Sequence, residues 1–213
     1  MDCCRGELVG AQFDRATAQA DLRRFRRRGP TSSTRRLIED LQASRQNAAT
    51  LLDVGGGVGA IHHTLLDAGV GTAVQVDLSP DYIAAAREEA DRRGHGDRVS
   101  FVHADFLDAA PSVEPADIVT LDRVVCCYPD MERLLTAAAD KTRRLLGAVY
   151  PRDAWWVRAG AAGANGLCRL RRTDFRVYVH SPARMADVLR RRGLEPRSMQ
   201  RTFVWEIVTY ARS

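Results

Sequence analysis

The run Thr50-Leu51-Leu52-Asp53-Val54-Gly55-Gly56-Gly57-Val58-Gly59-Ala60 constrains this chain more than any other segment. A short apolar strand leads into a glycine-rich turn, and a helical pattern follows. Glycines at alternate positions let the backbone turn sharply and approach a ligand closely, because no Cβ intervenes. The helix behind the turn presents its free N–H groups to whatever rests there. The segment therefore reads as a small-molecule cradle at the end of a sheet strand.

The rest of the chain extends that reading. After the strand Thr50–Val54 and a helix from about Val58 to Ala68, a second strand, Thr72–Val76, ends in Asp77. Ser79-Pro80 starts a helix that runs to Arg93 and is closed by Gly94 and Gly96. A third strand, Val99–His103, leads to Asp105-Phe106, and a fourth, Asp117–Leu121, to Asp122. A helix over Met131–Leu145 and a fifth strand over Ala148–Tyr150 follow. This alternation predicts a parallel sheet with helices on both faces. Ligands on such sheets lie beyond the carboxyl ends of the strands, where Asp53, Asp77, Asp105 and Asp122 all fall.

Both ends of the chain break the alternation. Residues 1–48 read as a polar helical cap, interrupted at Gly29-Pro30, with Leu22, Phe25, Leu37, Ile38 and Leu41 as its apolar positions. The remaining 49–213 read as one domain, with 151–180 as an insertion. At the other end, a helix over Pro182–Arg192 precedes strands at Leu194–Gln200 and Thr202–Ala211. The connection between them is too short for a crossover helix, so they must pair antiparallel.

Two cofactors fit the glycines. Gly55-x-Gly57-x-x-Ala60 satisfies the dinucleotide fingerprint. Asp53-x-Gly55-x-Gly57-x-Gly59 equally satisfies the acidic-glycine pattern of the class I S-adenosylmethionine-dependent methyltransferases, which the chain resembles. Asp105 beside Phe106, suited to an adenine amine and ring, and the C-terminal antiparallel pair favour the second. The resemblance implies an α/β, Rossmann-like, doubly wound seven-stranded sheet, mostly parallel with a C-terminal antiparallel hairpin. It implies S-adenosyl-L-methionine as cofactor, with Asp53, Gly55, Gly57 and Gly59 at its methionine end. Asp77 and Leu78 would then meet the ribose and Asp105 and Phe106 the adenine, with Asp122 at the neighbouring strand end.

A narrower likeness is to the magnesium-protoporphyrin O-methyltransferases. It rests on the glycine turn, on Tyr128-Pro129 after the fourth strand, and on Tyr178-Val179-His180 before the last helix. Cys127 stands where that branch tends to carry a histidine. The expected reaction is methyl transfer to a small molecule, at oxygen. A metalloporphyrin carboxyl is one alternative acceptor, and a non-catalytic cofactor-binding or RNA-contacting module is an alternative of another class.

Methyl transfer from a sulfonium is chiefly a matter of alignment. A phenolic or amine acceptor also needs a base, for which His180, Tyr128 and Asp130 are the candidates. Asp130 also suits an N-cap and His180 a packing role. His62 and His63 open the helix behind the glycine turn, and Arg123 and Arg152 suit an acidic substrate. Cys126-Cys127 reads first as buried small hydrophobes, and second as a thiol trap for arsenic or another thiophile. In the insertion, Trp155-Trp156, Arg158, Leu167, Leu170 and Arg169-Arg171-Arg172 read as a substrate lid; a dimer surface and an interfacial membrane helix compete with it. A flat, acidic, aromatic substrate would suit it.

Composition bears on the partners. The formal net charge is +5, but Lys141 is the only lysine. Such arginine bias follows from a GC-rich coding sequence, so a nucleic-acid partner is discounted. An odd count of 5 cysteines, including the adjacent pairs Cys3-Cys4 and Cys126-Cys127, makes a poor disulfide framework. With no apolar signal-type segment, the expectation is a cytoplasmic protein.

Overall fold

The computed structural model describes residues 14–44, 47–171, 173 and 175–213. Cys3, Cys4 and Arg172 lie outside the described residues. The strands are β1 (Thr50–Val54), β2 (Thr72–Asp77), β3 (Val99–His103), β4 (Ala116–Asp122), β5 (Thr142–Pro151), β6 (Leu194–Arg201) and β7 (Trp205–Arg212). They form one 7-stranded sheet in the order β3-β2-β1-β4-β5-β7-β6. All neighbours are parallel except the two pairs that β7 makes, with β5 and with β6. The mostly parallel, doubly wound sheet and its C-terminal antiparallel pairing are as expected.

The helices are α1 (Arg15–Arg28), α2 (Ser32–Ser44), α3 (Ala60–Asp67), α4 (Pro80–Arg93), α5 (Phe106–Ala109), α6 (Met131–Asp140), α7 (Trp155–Leu170) and α8 (Pro182–Arg190). Strands covered on both faces put alternate side chains into two separate cores. Leu52, Val119, Leu121, Leu146 and Ala148 pack with α6 and α8 on one face. Leu51, Ile118, Leu145 and Val149 pack with α2 and α3 on the other. Helix α4 starts where Ser79 caps Tyr82 N (3.2 Å), with Pro80 in the first turn, and ends at left-handed Gly94.

The largest departures from the expected boundaries are two. The helix read as Met131–Leu145 stops at Asp140, and β5 begins at Thr142 rather than at Ala148. Thr142, Leu145 and Leu146 continue the helical spacing of Leu134, Leu135 and Ala138, which hides the change. The parallel register settles it: Leu145 and Leu146 lie beside Ile118 and Val119. Strand β6 lies at the sheet edge, where Pro196 is tolerated beside a register shift.

Helix α1 lies on α4. Arg26, Arg92 and Arg93 all bond the buried Glu89, at 2.8, 2.5 and 2.6 Å. Burial alone would raise that carboxyl, and the arginines hold it well below its ordinary value. The Tyr82 hydroxyl donates to Asp21 of α1 at 2.6 Å. Residues from α1, α2 and the sheet ends thereby come to face one cavity.

Candidate active site

A cavity of about 480 Å³ opens over the carboxyl ends of β1, β2 and β4. The glycine turn forms its floor. Gly55, Gly57 and Gly59 have φ of 62, 56 and 81°, a left-handed region that side chains avoid. A Cβ on Gly55 would sit 2.5 Å from Val124 Cγ2. The turn is therefore fixed both by conformation and by lack of room.

Acids anchor that turn. Asp77 Oδ2 accepts from Gly57 N (3.0 Å) and Oδ1 from Ser79 N (2.9 Å). Burial pushes its carboxyl above the ordinary range, and these two donors pull it partly back. Asp53 is buried between Thr120 Oγ1, which donates to Oδ1 at 2.7 Å, and His62 Nδ1, which donates to Oδ2 at 2.9 Å. A carboxylate cannot donate, so the His62 proton sits on Nδ1. Its Nε2 is buried without a partner among the described residues. His63 packs behind it, hydrogen-bonded to His95 and to Ala86 O, and burial pushes it down to about 2. Neither His62 nor His63 lines the cavity.

Asp53, Gly55, Gly57, Asp77, Leu78, Phe106 and Asp122 all line the cavity. Gly59 and Asp105 do not. Asp105 caps α5 through Leu107 N (2.8 Å) and accepts from the Tyr128 hydroxyl (3.0 Å), both at Oδ1. Asp122 accepts from Thr34 Oγ1 of α2 at 2.6 Å. Among the base candidates, Tyr128 lines the cavity. His180 lies behind it, its Nε2 donating to Tyr128 O at 2.9 Å; burial lowers its pKa. Asp130 is exposed and caps α6 through Arg133 N at 3.1 Å.

The other wall was only partly legible in sequence. The extended segment Phe175–Tyr178 faces the cavity, together with Arg123, Cys126, Cys127 and Trp205. Asn165 of α7 holds this segment by two bonds to Val177, at 2.8 and 2.9 Å. Tyr178 N donates to Cys126 O at 2.8 Å. From the N-terminal helices, Asp21, Arg24, Phe25 and Thr34 complete the lining. Arg152 lies apart, over the Trp156 ring at 5.6 Å.

The fit to S-adenosylmethionine can be judged on these residues. Each Asp77 oxygen accepts one backbone N–H and keeps lone-pair capacity for a ribose hydroxyl. Val76, Leu78, Ala104 and Phe106 supply an apolar slot for a base beside it. The residues fit the cofactor.

The strand order, the left-handed glycine turn and the acids at the strand ends together define the class I S-adenosylmethionine-dependent methyltransferase fold. Residues 51–146 match the family described as a methyltransferase domain. The chain is 34% identical over 105 residues to acetylserotonin O-methyltransferase of Mus musculus, covering 47% of this chain and 25% of that protein. It is 31% identical over 83 residues to 3-amino-4-hydroxybenzoate 4-O-methyltransferase of Streptomyces cremeus, covering 39% and 22%. The chain thus spans about a quarter of the length of the curated relatives it matches. Its fold is similar to magnesium protoporphyrin IX methyltransferase from Synechocystis PCC 6803, with TM-score 0.68 and 20% identity over 84% of this chain and 82% of that one.

Proposed function

We propose that this chain transfers a methyl group from S-adenosyl-L-methionine to a hydroxyl oxygen of a small, flat, acidic aromatic molecule. The observation that carries this reading is the continuity of one cavity from Asp77 and the glycine turn to Arg123, Arg176, Tyr178 and Trp205. Cofactor and acceptor can meet inside it, and its size lies within the roughly 300–1,000 Å³ usual for small-molecule sites. The names of the two relatives support oxygen as the acceptor atom.

The cofactor supplies a methyl group activated on a sulfonium. Asp77, with Leu78 beside it, takes the ribose hydroxyls, and Phe106 covers the adenine, with Asp105 stiffening the slot behind it. Asp53, Gly55, Gly57 and Gly59 shape the methionine end, and Asp122 borders it. Tyr128 faces the acceptor hydroxyl. His180 and Asp130, also candidate bases, reach the reaction only by moving. Guanidinium groups of Arg123 and Arg176 suit a carboxylate on the acceptor, and the Tyr178 and Trp205 rings suit its flat face. Helices α1 and α2 act as a cap over the cofactor, and α7 with the segment Phe175–Tyr178 as a lid over the acceptor.

Among the described residues no helix is long and apolar enough to cross a membrane. We place the protein in a reducing, cytoplasmic setting, where thiols such as those of Cys126, Cys127 and Cys168 persist.

The test is transfer of labelled methyl from S-adenosylmethionine to a panel of phenols, aromatic hydroxy acids and magnesium-protoporphyrin, with Asp77→Ala as control. Label on a hydroxy acid that vanishes in the control is the expected result. Label on the porphyrin alone would move the acceptor to a carboxyl. Cofactor binding with no transfer to any compound would leave a binding module.

A further inference from the structure

The adjacent cysteines on the cavity wall play no part in the proposed reaction. Cys126 and Cys127 sit on a single 3-10 turn, Val125–Cys127, between β4 and α6. Adjacent residues usually diverge, yet here both side chains line the same cavity. Both thiols also donate to one acceptor, the Arg123 carbonyl, at 3.3 and 3.7 Å. The two thiols also interact with each other, which lowers the Cys126 pKa and raises that of Cys127. The two sulfurs are thus held side by side, with one the readier to become a thiolate.

We infer that Cys126 and Cys127 form a two-point binding site for a trivalent thiophilic centre with two exchangeable oxygen ligands, the chemistry of a monosubstituted arsenical. Two thiols and the dihydroxy arsenical condense. Two As–S bonds form and two As–O bonds break, and each thiol proton leaves with a hydroxide as water. No atom changes oxidation state, so neither oxidant nor reductant is required. The second bond closes within the protein, where the effective concentration of the second sulfur is high. Capture also withdraws both S–H donors from the Arg123 carbonyl. Arg123 is a non-glycine residue held at φ 62°, and its side chain lines the cavity. Loading the thiols therefore alters the acceptor wall as well as filling it.

The probe is phenylarsine oxide. Cys3-Cys4 is a second adjacent pair, so the parent for the test is Cys3→Ser/Cys4→Ser/Cys168→Ser, which leaves Cys126 and Cys127 as the only thiols. Intact mass should show one adduct per chain and both thiols lost to a thiol reagent. Dithiothreitol should release the adduct, and a monothiol should not. Adding Cys127→Ser should weaken binding by about a hundredfold or more, the usual worth of a second linked contact, and make it reversible by monothiol. Circular dichroism of each variant separates lost binding from lost fold. No adduct on folded parent protein, or an adduct that consumes one thiol, would overturn the inference. So would unchanged affinity on adding Cys127→Ser.

Discussion

The glycine-turn side of the cavity and the side beneath α7 differ in how they are held. At the carboxyl ends of β1 and β2, acids are bonded through both oxygens: Asp77 holds the backbone of Gly57 and Ser79, and the buried Asp53 is pinned by the Thr120 and His62 side chains. Beneath α7 the wall is the extended segment Phe175–Tyr178, tied by Asn165 and by one backbone bond to Cys126. Of all the residues in α7, only Val157 is buried. A rigid half suits a ligand that never varies. A thinly tied half can be re-cut for different acceptors without disturbing the first, as scaffold-borne loops generally allow. The contrast implies that substitutions on the first side act on cofactor binding and stability, and those on the second act on the acceptor.

The sharpest way to break that contrast is Gly55→Ala. A Cβ there meets Val124 at 2.5 Å in a left-handed backbone. Strain and overpacking together should cost about 2–4 kcal/mol, lowering the melting temperature and removing cofactor binding in calorimetry. Intact binding would mean that the turn is less constrained than its geometry says. Asp77→Ala comes next. It loses charge-assisted bonds worth about 1.5–3 kcal/mol, so cofactor Kd should rise about ten- to a hundredfold by titration calorimetry.

The pH response sharpens the same comparison. His63 is buried behind the glycine turn with its pKa pushed down to about 2. An unfolded chain binds a proton there below about 6.5 and the folded one does not. Its stabilising contribution is therefore complete above about pH 6.5 and is lost as pH falls toward 2. The limiting slope for one proton is about 1.4 kcal/mol per pH unit. Urea melts at pH 7 and 5 should show the loss, and His63→Gln should flatten it. A wild-type curve without slope would count against a buried neutral His63.

On the second side, Asn165→Ala removes two bonds to Val177, worth about 1–2 kcal/mol together. Acceptor KM should rise about tenfold while cofactor Kd stays put; a matching rise in Kd would erase the distinction. The smallest effect belongs to Trp155→Ala. This side chain is 77% exposed, and stability should change by no more than about 0.5 kcal/mol.

Much of this fold is written in local pattern. The glycine turn, the acids at strand ends and the regular alternation of apolar runs each depend on neighbours within one element, so one sequence shows them. The start of β5 was hidden because Thr142–Leu146 satisfies helical and strand spacing at once, and only pairing with β4 decides. The site was legible where the sheet dictates it, at Asp53, Asp77 and Asp122. It was illegible where distant segments meet. Thr34 reaches Asp122 across 88 positions, and Tyr82 reaches Asp21 across 61. No periodicity encodes such pairs. His180 and Asp130 show how little a motif says about what a side chain bonds to. A titratable side chain beside a motif looks chemical in one dimension, although the bonds it makes here are to the Tyr128 carbonyl and to the start of α6.

The place of β7 has a consequence for how the protein is made. Of the seven strands it is synthesised last, yet it lies between β5 and β6 in the interior of the sheet. While the chain is still emerging, β5 must wait with one edge open, and β6, though already made, has no neighbour to join. Nothing on that side can close until Trp205–Arg212 is released. An exposed strand edge is a template for pairing with other chains, so the interval before release is when aggregation threatens most. Slow synthesis over the codons of β7 would lengthen that exposure, and a chaperone that covers the edge of β5 would guard against it.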